Sequence, residues 1–128
     1  VSATPILGPD RSGKRDNHAN QDFQHEGKAL RAFLASQPRT IVICGARHWQ
    51  YASHDPATGL REWCCGSAAN EHAGGFQMGN RTEMHDYLKI CGGFLHGEIR
   101  IEDGATDLVL RHYDPSGQIT NEDVLPGR

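Results

Sequence analysis

Three short polar clusters in this chain carry side chains able to do chemistry. Lys14-Arg15-Asp16-Asn17-His18-Ala19-Asn20 gathers a carboxylate, two amides and an imidazole in one stretch. Aspartate, histidine and asparagine suit a divalent or ferric cation, and the flanking Arg11, Lys14 and Arg15 offer donors for a phosphate. The same residues also read as a solvated loop whose Asx side chains cap the next helix. Gly45-Ala46-Arg47-His48-Trp49 follows the apolar run Ile41-Val42-Ile43-Cys44. A guanidinium and an imidazole just past the carboxyl end of a buried strand lie where open α/β sheets hold ligands. They point to an anion, a metal, or both. A histidine packed on Trp49 with one hydrogen bond would leave the same sequence. The third cluster, Asn70-Glu71-His72-Ala73-Gly74-Gly75, fits either a ligand loop or a cleft rim. Of the remaining histidines, His25, His54, His85, His96 and His112 read as structural or solvent-facing.

These clusters must be positioned by regular elements. Residues 1–22 read as loop, broken by Pro5, Gly8, Pro9 and Gly13. Asp22 is the expected N-cap of a helix whose apolar face carries Phe23, Leu30, Phe33 and Leu34, and Pro38 ends it. Within residues 23–53 this helix leads to the strand at Ile41–Cys44, with Gly45 as the expected turn. Residues 54–128 read as β-structure. His54-Asp55-Pro56-Ala57-Thr58-Gly59 joins WQYAS to LREWCC as a hairpin. Residues 66–86 form a Gly-rich excursion. Leu95, Ile99 and Ile101 alternate with polar residues as a half-buried strand. Asp103-Gly104 is a type I′ hairpin signal, and Asp114-Pro115-Ser116-Gly117 a second turn. The expectation is an antiparallel meander in the C-terminal third.

The 128 residues suit a single domain or part of one. A formal charge of −3 and an isoelectric point near 6.2 argue against a nucleic-acid-binding surface. Mean hydropathy is −0.61, and no apolar run approaches a membrane span. The opening VSATPILGPDR has no secretory leader pattern and no Met, which reads as the middle of a longer chain or a processed product. Cys44, Cys64, Cys65 and Cys91 lack zinc-finger spacing. Buried free thiols are expected, at Cys44 and Cys64 above all. No G-x-S-x-G elbow, Walker loop or H-E-x-x-H helix is present.

The order TPILGPDR, KRDNHAN, EG-x-x-LR-x-FL, IVICG-x-RHWQY, DPATGL, CGSAANEHAGG and GGFL…RHYD resembles the C-terminal part of alkaline phosphatase D-like metallophosphoesterases, from about Thr4 to Asp114. The resemblance implies an α/β fold with a β-rich C-terminal half, part of a calcineurin-like sandwich. It implies phosphate ester hydrolysis by a metal-activated water, two cations about 3.5–4 Å apart clamping the attacking and leaving oxygens. Residue by residue, it assigns His18, Asp16 and His48 to a metal site. Arg47 and His48 become the catalytic pair, and Arg47, Arg15, Asn17 and Asn20 contact substrate. Calcium, iron, zinc or manganese are the implied ions, and a secreted or periplasmic setting the implied location.

Two departures temper the expected activity. Ala46 stands where such sequences carry an aspartate, which removes one ligand. The family's N-terminal metal motifs are also absent. The isolated chain is therefore expected to be inactive or nearly so. Its uncovered sheet would need the missing half of the fold or self-association to cover it. The competing reading is a non-catalytic β-rich assembly or binding module derived from the same fold.

Overall fold

The computed structural model describes residues 1–11 and 13–127. It is a small mixed α/β domain with one α-helix and two β-sheets. Helix α1 spans Gln24–Ser36, and seven strands follow: β1 (Val42–Cys44), β2 (Gln50–His54), β3 (Arg61–Cys65), β4 (His85–Lys89), β5 (Phe94–Glu102), β6 (Ala105–Tyr113) and β7 (Ile119–Pro126). The first sheet has the order β1-β3-β2-β4, and the second is the meander β5-β6-β7. Strand β1 runs parallel to β3, whereas β2 pairs antiparallel with both β3 and β4. Among the described residues no helix is long and apolar enough to cross a membrane.

Side-chain alternation divides the first sheet into two buried faces. Trp63 and Ala52 point toward the meander and meet Leu110, with Leu95, Leu108, Leu125 and Tyr87 packed around them. Val42, Cys44, Tyr51, Glu62 and Cys64 take the opposite face. The N-terminal segment and α1 cover it, through Ile6, Leu7, Leu30 and Leu34. Polar ties join the two sheets. Gln50 is fully buried, donates to the Tyr113 carbonyl at 2.7 Å and accepts from Tyr87 and Thr120. The indole of Trp63 donates to Asp123 at 2.8 Å.

The helix differs from expectation at its start and on its buried face. A 3₁₀ turn, Gln21–Phe23, precedes it, entered from Asn20. Asp22 lies inside that turn and pairs with Arg15 at 3.0 Å instead of capping α1. Phe23 and Phe33 are exposed. The packed face runs through Gly27, Leu30, Arg31 and Leu34, because loop carbonyls rather than apolar side chains meet much of it. Arg31 donates to the carbonyls of Ile6 and His18 at 3.0 and 2.9 Å. A Cβ at Gly27 would collide with the His18 carbonyl.

The meander forms where expected, with Asp103 and Gly104 at φ 49° and 81° as a type I′ turn requires. The expectation of a half-buried β5 fails, however. Ile99 and Ile101 are 62% and 70% exposed, since the first sheet does not extend beneath this end of the meander. The prediction of buried free thiols holds at Cys44, Cys64 and Cys91.

One buried carboxylate fastens the N-terminal segment to the sheet. Glu62, fully buried on β3, accepts the backbone N–H groups of Ile6, Leu7 and Gly8 at 2.8, 3.0 and 3.0 Å. It also accepts the Tyr51 hydroxyl at 2.7 Å. Hydrogen bonds to an ionised acceptor are the strong kind, and all four donors would lose this partner without it. Glu62→Gln, which turns an amide toward these donors, is expected to lower unfolding free energy by about 2–4 kcal/mol in chemical denaturation; an unchanged midpoint would refute the role given to this side chain.

Two buried histidines set an acid limit. Burial makes His85 and His112 harder to protonate than the ordinary value of 6.5. His112 donates from Nε2 to the Cys64 carbonyl, and His85 accepts the Thr82 N–H at Nδ1. Below pH 6.5 the unfolded chain gains protons that the folded chain resists, so stability falls with acid. The melting temperature should therefore decline as pH drops below 6.5, and replacing both histidines with glutamine should flatten that decline.

Candidate functional site

Parallel pairing of β1 with β3 brings their carboxyl ends together, with Cys44 opposite Cys64. The chain leaving β1 carries Ala46, Arg47 and His48, and the chain leaving β3 carries the loop with His72, Gly74 and Gly75. The N-terminal segment, aligned on β1 by the Ser2–Cys44 bridge and by Glu62, supplies Arg11, Lys14 and Asp16. The three clusters singled out in the sequence thus meet at one end of the sheet. They line an open cleft of about 570 Å³ that includes Arg11, Lys14, Asp16, Arg47, His48 and His72. Backbone contacts close the assembly, with Gly74 N–H donating to His48 C=O at 2.9 Å.

Beneath the cleft lies a compact polar knot. Arg47 is only 4% exposed, and its Nη2 donates to Asp10 at 2.6 Å and to Asp16 at 2.7 Å. Asp10 also accepts Asn17 Nδ2, Asn20 Nδ2 and the Arg11 N–H. Asn20 Oδ1 in turn takes the N–H groups of Asp16 and Asn17 at 2.8 and 3.1 Å. Burial raises the Asp10 carboxyl, but the donors of Arg11, Asn17, Arg47 and Asn20 outweigh it and hold it below the ordinary carboxylate value. The Arg47 hydrogen bond does the same for Asp16. Burial opposes the charge on Arg47, and the two carboxylates more than compensate, so its pKa is raised. A single guanidinium therefore sits between two carboxylates and stays charged.

The residues proposed from the sequence fall into separate places. Asp16, Arg47 and His48 share the cleft. Asn17 and Asn20 are buried in the knot and hold Asp10. Arg15 pairs outward with Asp22. His18 is not among the cleft-lining residues. Its imidazole lies 3.7 Å from Glu26 on α1. Two residues central to the site give little sign of it in sequence. Asp10 lies within the quoted GPDR run, next to a cis Gly8–Pro9 bond, and Glu62 carries no signal beyond an acidic residue inside an apolar strand.

Arg11 is held differently from Arg47. Its guanidinium stacks 5.0 Å from the Trp49 ring centroid and donates from Nη1 to Gly75 C=O at 3.2 Å. Its Nε stands 3.8 Å from Asp10, beyond hydrogen-bond reach. Trp49 leans on Phe76 at 5.2 Å. Three buried donors of cleft residues lack a hydrogen bond among the described residues: Arg11 Nε, Arg47 Nε and Trp49 Nε1.

Metal ligation fits these residues poorly. Among the described residues no group of three or more His, Cys, Asp or Glu side chains is arranged to hold an ion. Asp16 Oδ1 is already bound by Arg47 and Asn17, and Lys14 stands 3.9 Å from Oδ2. Cys44 and Cys64 offer no open nucleophile either. A hydrogen bond with Cys64 pushes the Cys44 thiol up and pulls the Cys64 thiol down, yet both are almost completely buried. Comparison with models of protein families gives no match, and comparison with curated proteins gives none.

The turn itself lies at Ala46, not at Gly45 as expected, with φ 63°. A Cβ in this left-handed region costs energy that glycine does not incur. Ala46→Gly should raise stability by about 0.5–1 kcal/mol in denaturant titration. A loss of stability instead would mean that the Ala46 methyl packs favourably.

Proposed function

We propose that this chain binds phosphate, free or as an ester, in the cleft between the three loops. It would be the substrate-holding part of a phosphoric ester hydrolase of the alkaline phosphatase D-like kind. The observation that carries this reading is the basic lining of the cleft, where the partly exposed Arg11 and Lys14 stand with His48 and His72. Arg11 in particular offers the planar fork that suits a tetrahedral oxyanion.

The chain's own residues then divide the work. Arg11, fixed by Trp49 and Gly75, and the partly exposed Lys14 balance the anion's charge. His48 and His72 stand at the rim as donors. Arg47 orients the site from below, its charge already matched by Asp10 and Asp16. The hydrolytic water in this class is activated by a metal. Since Asp16, His18 and His48 do not converge here, no bond-breaking step is assigned to this chain alone.

Isothermal titration with inorganic phosphate should give a dissociation constant of about 1 mM or tighter, weakening with salt. Arg11→Ala should weaken it at least ~10-fold with the melting temperature little changed. Refeeding with iron, calcium, zinc or manganese should leave p-nitrophenyl phosphate uncleaved. No phosphate binding in low salt would remove the reading, and metal-dependent cleavage would show a complete catalytic site.

A further inference from the structure

We infer that β5 is a self-pairing edge, through which two copies of this chain join antiparallel about a two-fold axis at Ile99. The argument begins with which backbone groups are free. The two-residue turn Asp103-Gly104 closes on the pair Glu102–Ala105. On the far side of β6 the Gly127 N–H bonds the Thr106 carbonyl, so the even-numbered residues of β6 serve β7. The odd-numbered residues of β6 therefore serve β5, and their partners there are even-numbered: Glu102, Arg100, Glu98 and His96. That leaves the N–H and C=O groups of Leu95, Gly97, Ile99 and Ile101 directed away from β6. Since β5 ends the sheet, this is an open ladder.

Side chains along that ladder favour a second copy of the chain and disfavour the registers two residues to either side of Ile99. A two-fold axis at Ile99 pairs residues 96–102 of the two copies. It sets Ile99 against Ile99, Ile101 against Gly97, Glu98 against Arg100 and His96 against Glu102. The Glu98–Arg100 contact occurs twice, as symmetry requires, and it adds to the bond that Glu98 already accepts from Arg111 within each copy at 2.6 Å. Sliding one strand by two residues sets Glu98 against Glu98 and His96 against Arg100. Sliding it the other way sets Arg100 against Arg100 and Glu98 against Glu102. A one-residue slide would place outward groups against inward ones. Edge charges usually block pairing. Here their alternation complements itself.

Two further features of the strand agree. The ion pair of Arg100 with Glu102 is long at 3.9 Å. The two most exposed large aliphatic side chains beyond the chain's first residue, Ile99 and Ile101, both lie on this strand and on one face. Pairing would line up the isoleucines of both copies into a continuous apolar strip. This interface lies on the second sheet and does not depend on the oxyanion reading.

Sedimentation velocity of the 128-residue chain, from low micromolar to near-millimolar concentration, tests it. A concentration-dependent dimer is expected. Arg100→Glu and Glu98→Arg should each weaken it at least ~10-fold, since each turns two attractions into repulsions. An equimolar mixture of the two variants should dimerise again, because the two glutamates of one copy then face the two arginines of the other. Circular dichroism of each variant checks that both are folded, and Ile99→Pro, which removes a central outward N–H, should abolish pairing without unfolding the meander. A chain that stays monomeric throughout, or a dimer indifferent to both charge reversals, would overturn the inference; the first outcome assigns the edge to another partner and the second places the interface elsewhere.

Discussion

The carboxylate of Glu62 is the point on which the rest of the molecule depends. Burying an ionised group is costly unless its lone pairs are filled. Here three successive backbone N–H groups and one phenol fill them. The same bonds turn a loop segment with little regular structure into a fixed layer on the sheet. Because residues 6–8 are held there, Asp10 reaches Arg47, and because Asp10 is in place, Asn17 and Asn20 have something to hold. Tyr51 extends the arrangement sideways to Cys44 at 3.3 Å. Burial and the nearby Glu62 charge push the Tyr51 hydroxyl well up, which keeps it a donor.

Charge in the cleft is organised in two tiers. The lower tier is self-contained: Asp10 and Asp16 enclose the buried Arg47. The upper tier is basic and partly solvated, with Arg11 and Lys14 at the mouth. Their side chains are 25% and 41% exposed, so salt screens their field far more than it screens the buried pair of Arg47 and Asp10. The lower tier gives rigidity, and the upper one gives attraction for anions. Ala46 contributes to this balance by what it lacks. An aspartate at that position would add a negative charge to the cleft wall and shift the cleft from anions toward cations.

Much of this was legible in sequence, for physical reasons that differ by element. The turns were legible because Asp55-Pro56, Asp103-Gly104 and Asp114-Pro115-Ser116-Gly117 dictate their own backbone geometry. The helix was legible in existence but not in its buried face, because Gly27 and Arg31 meet carbonyls of a loop that no periodicity announces. Strand β5 was found by alternation, yet alternation reports which residues share a face and not whether anything covers that face. The three polar clusters were recognised one by one. Their convergence follows from the parallel β1–β3 pairing, a long-range fact. His18 shows the opposite limit: adjacent in sequence to Asp16 and Asn17, it turns toward Glu26 instead. Asp10 and Glu62 carry no sequence signal, because a buried carboxylate looks like any other acidic residue until its donors are in place.

The separation of Glu62 from its partners has a consequence for how this chain acquires its shape. The hairpins of the meander close over short spans, while the contacts of Glu62 join residues 54 to 56 positions apart. Local pairs form early, and distant ones must wait for the chain entropy of a large loop to be overcome. The N-terminal layer therefore docks late, as do the ties of Gln50 and Trp63 between the sheets, which span 60 to 70 positions, and the cleft exists only once that layer has docked. Any anion that prefers the finished cleft then acts as a latch on that docking step, drawing the population toward the fully closed chain by mass action.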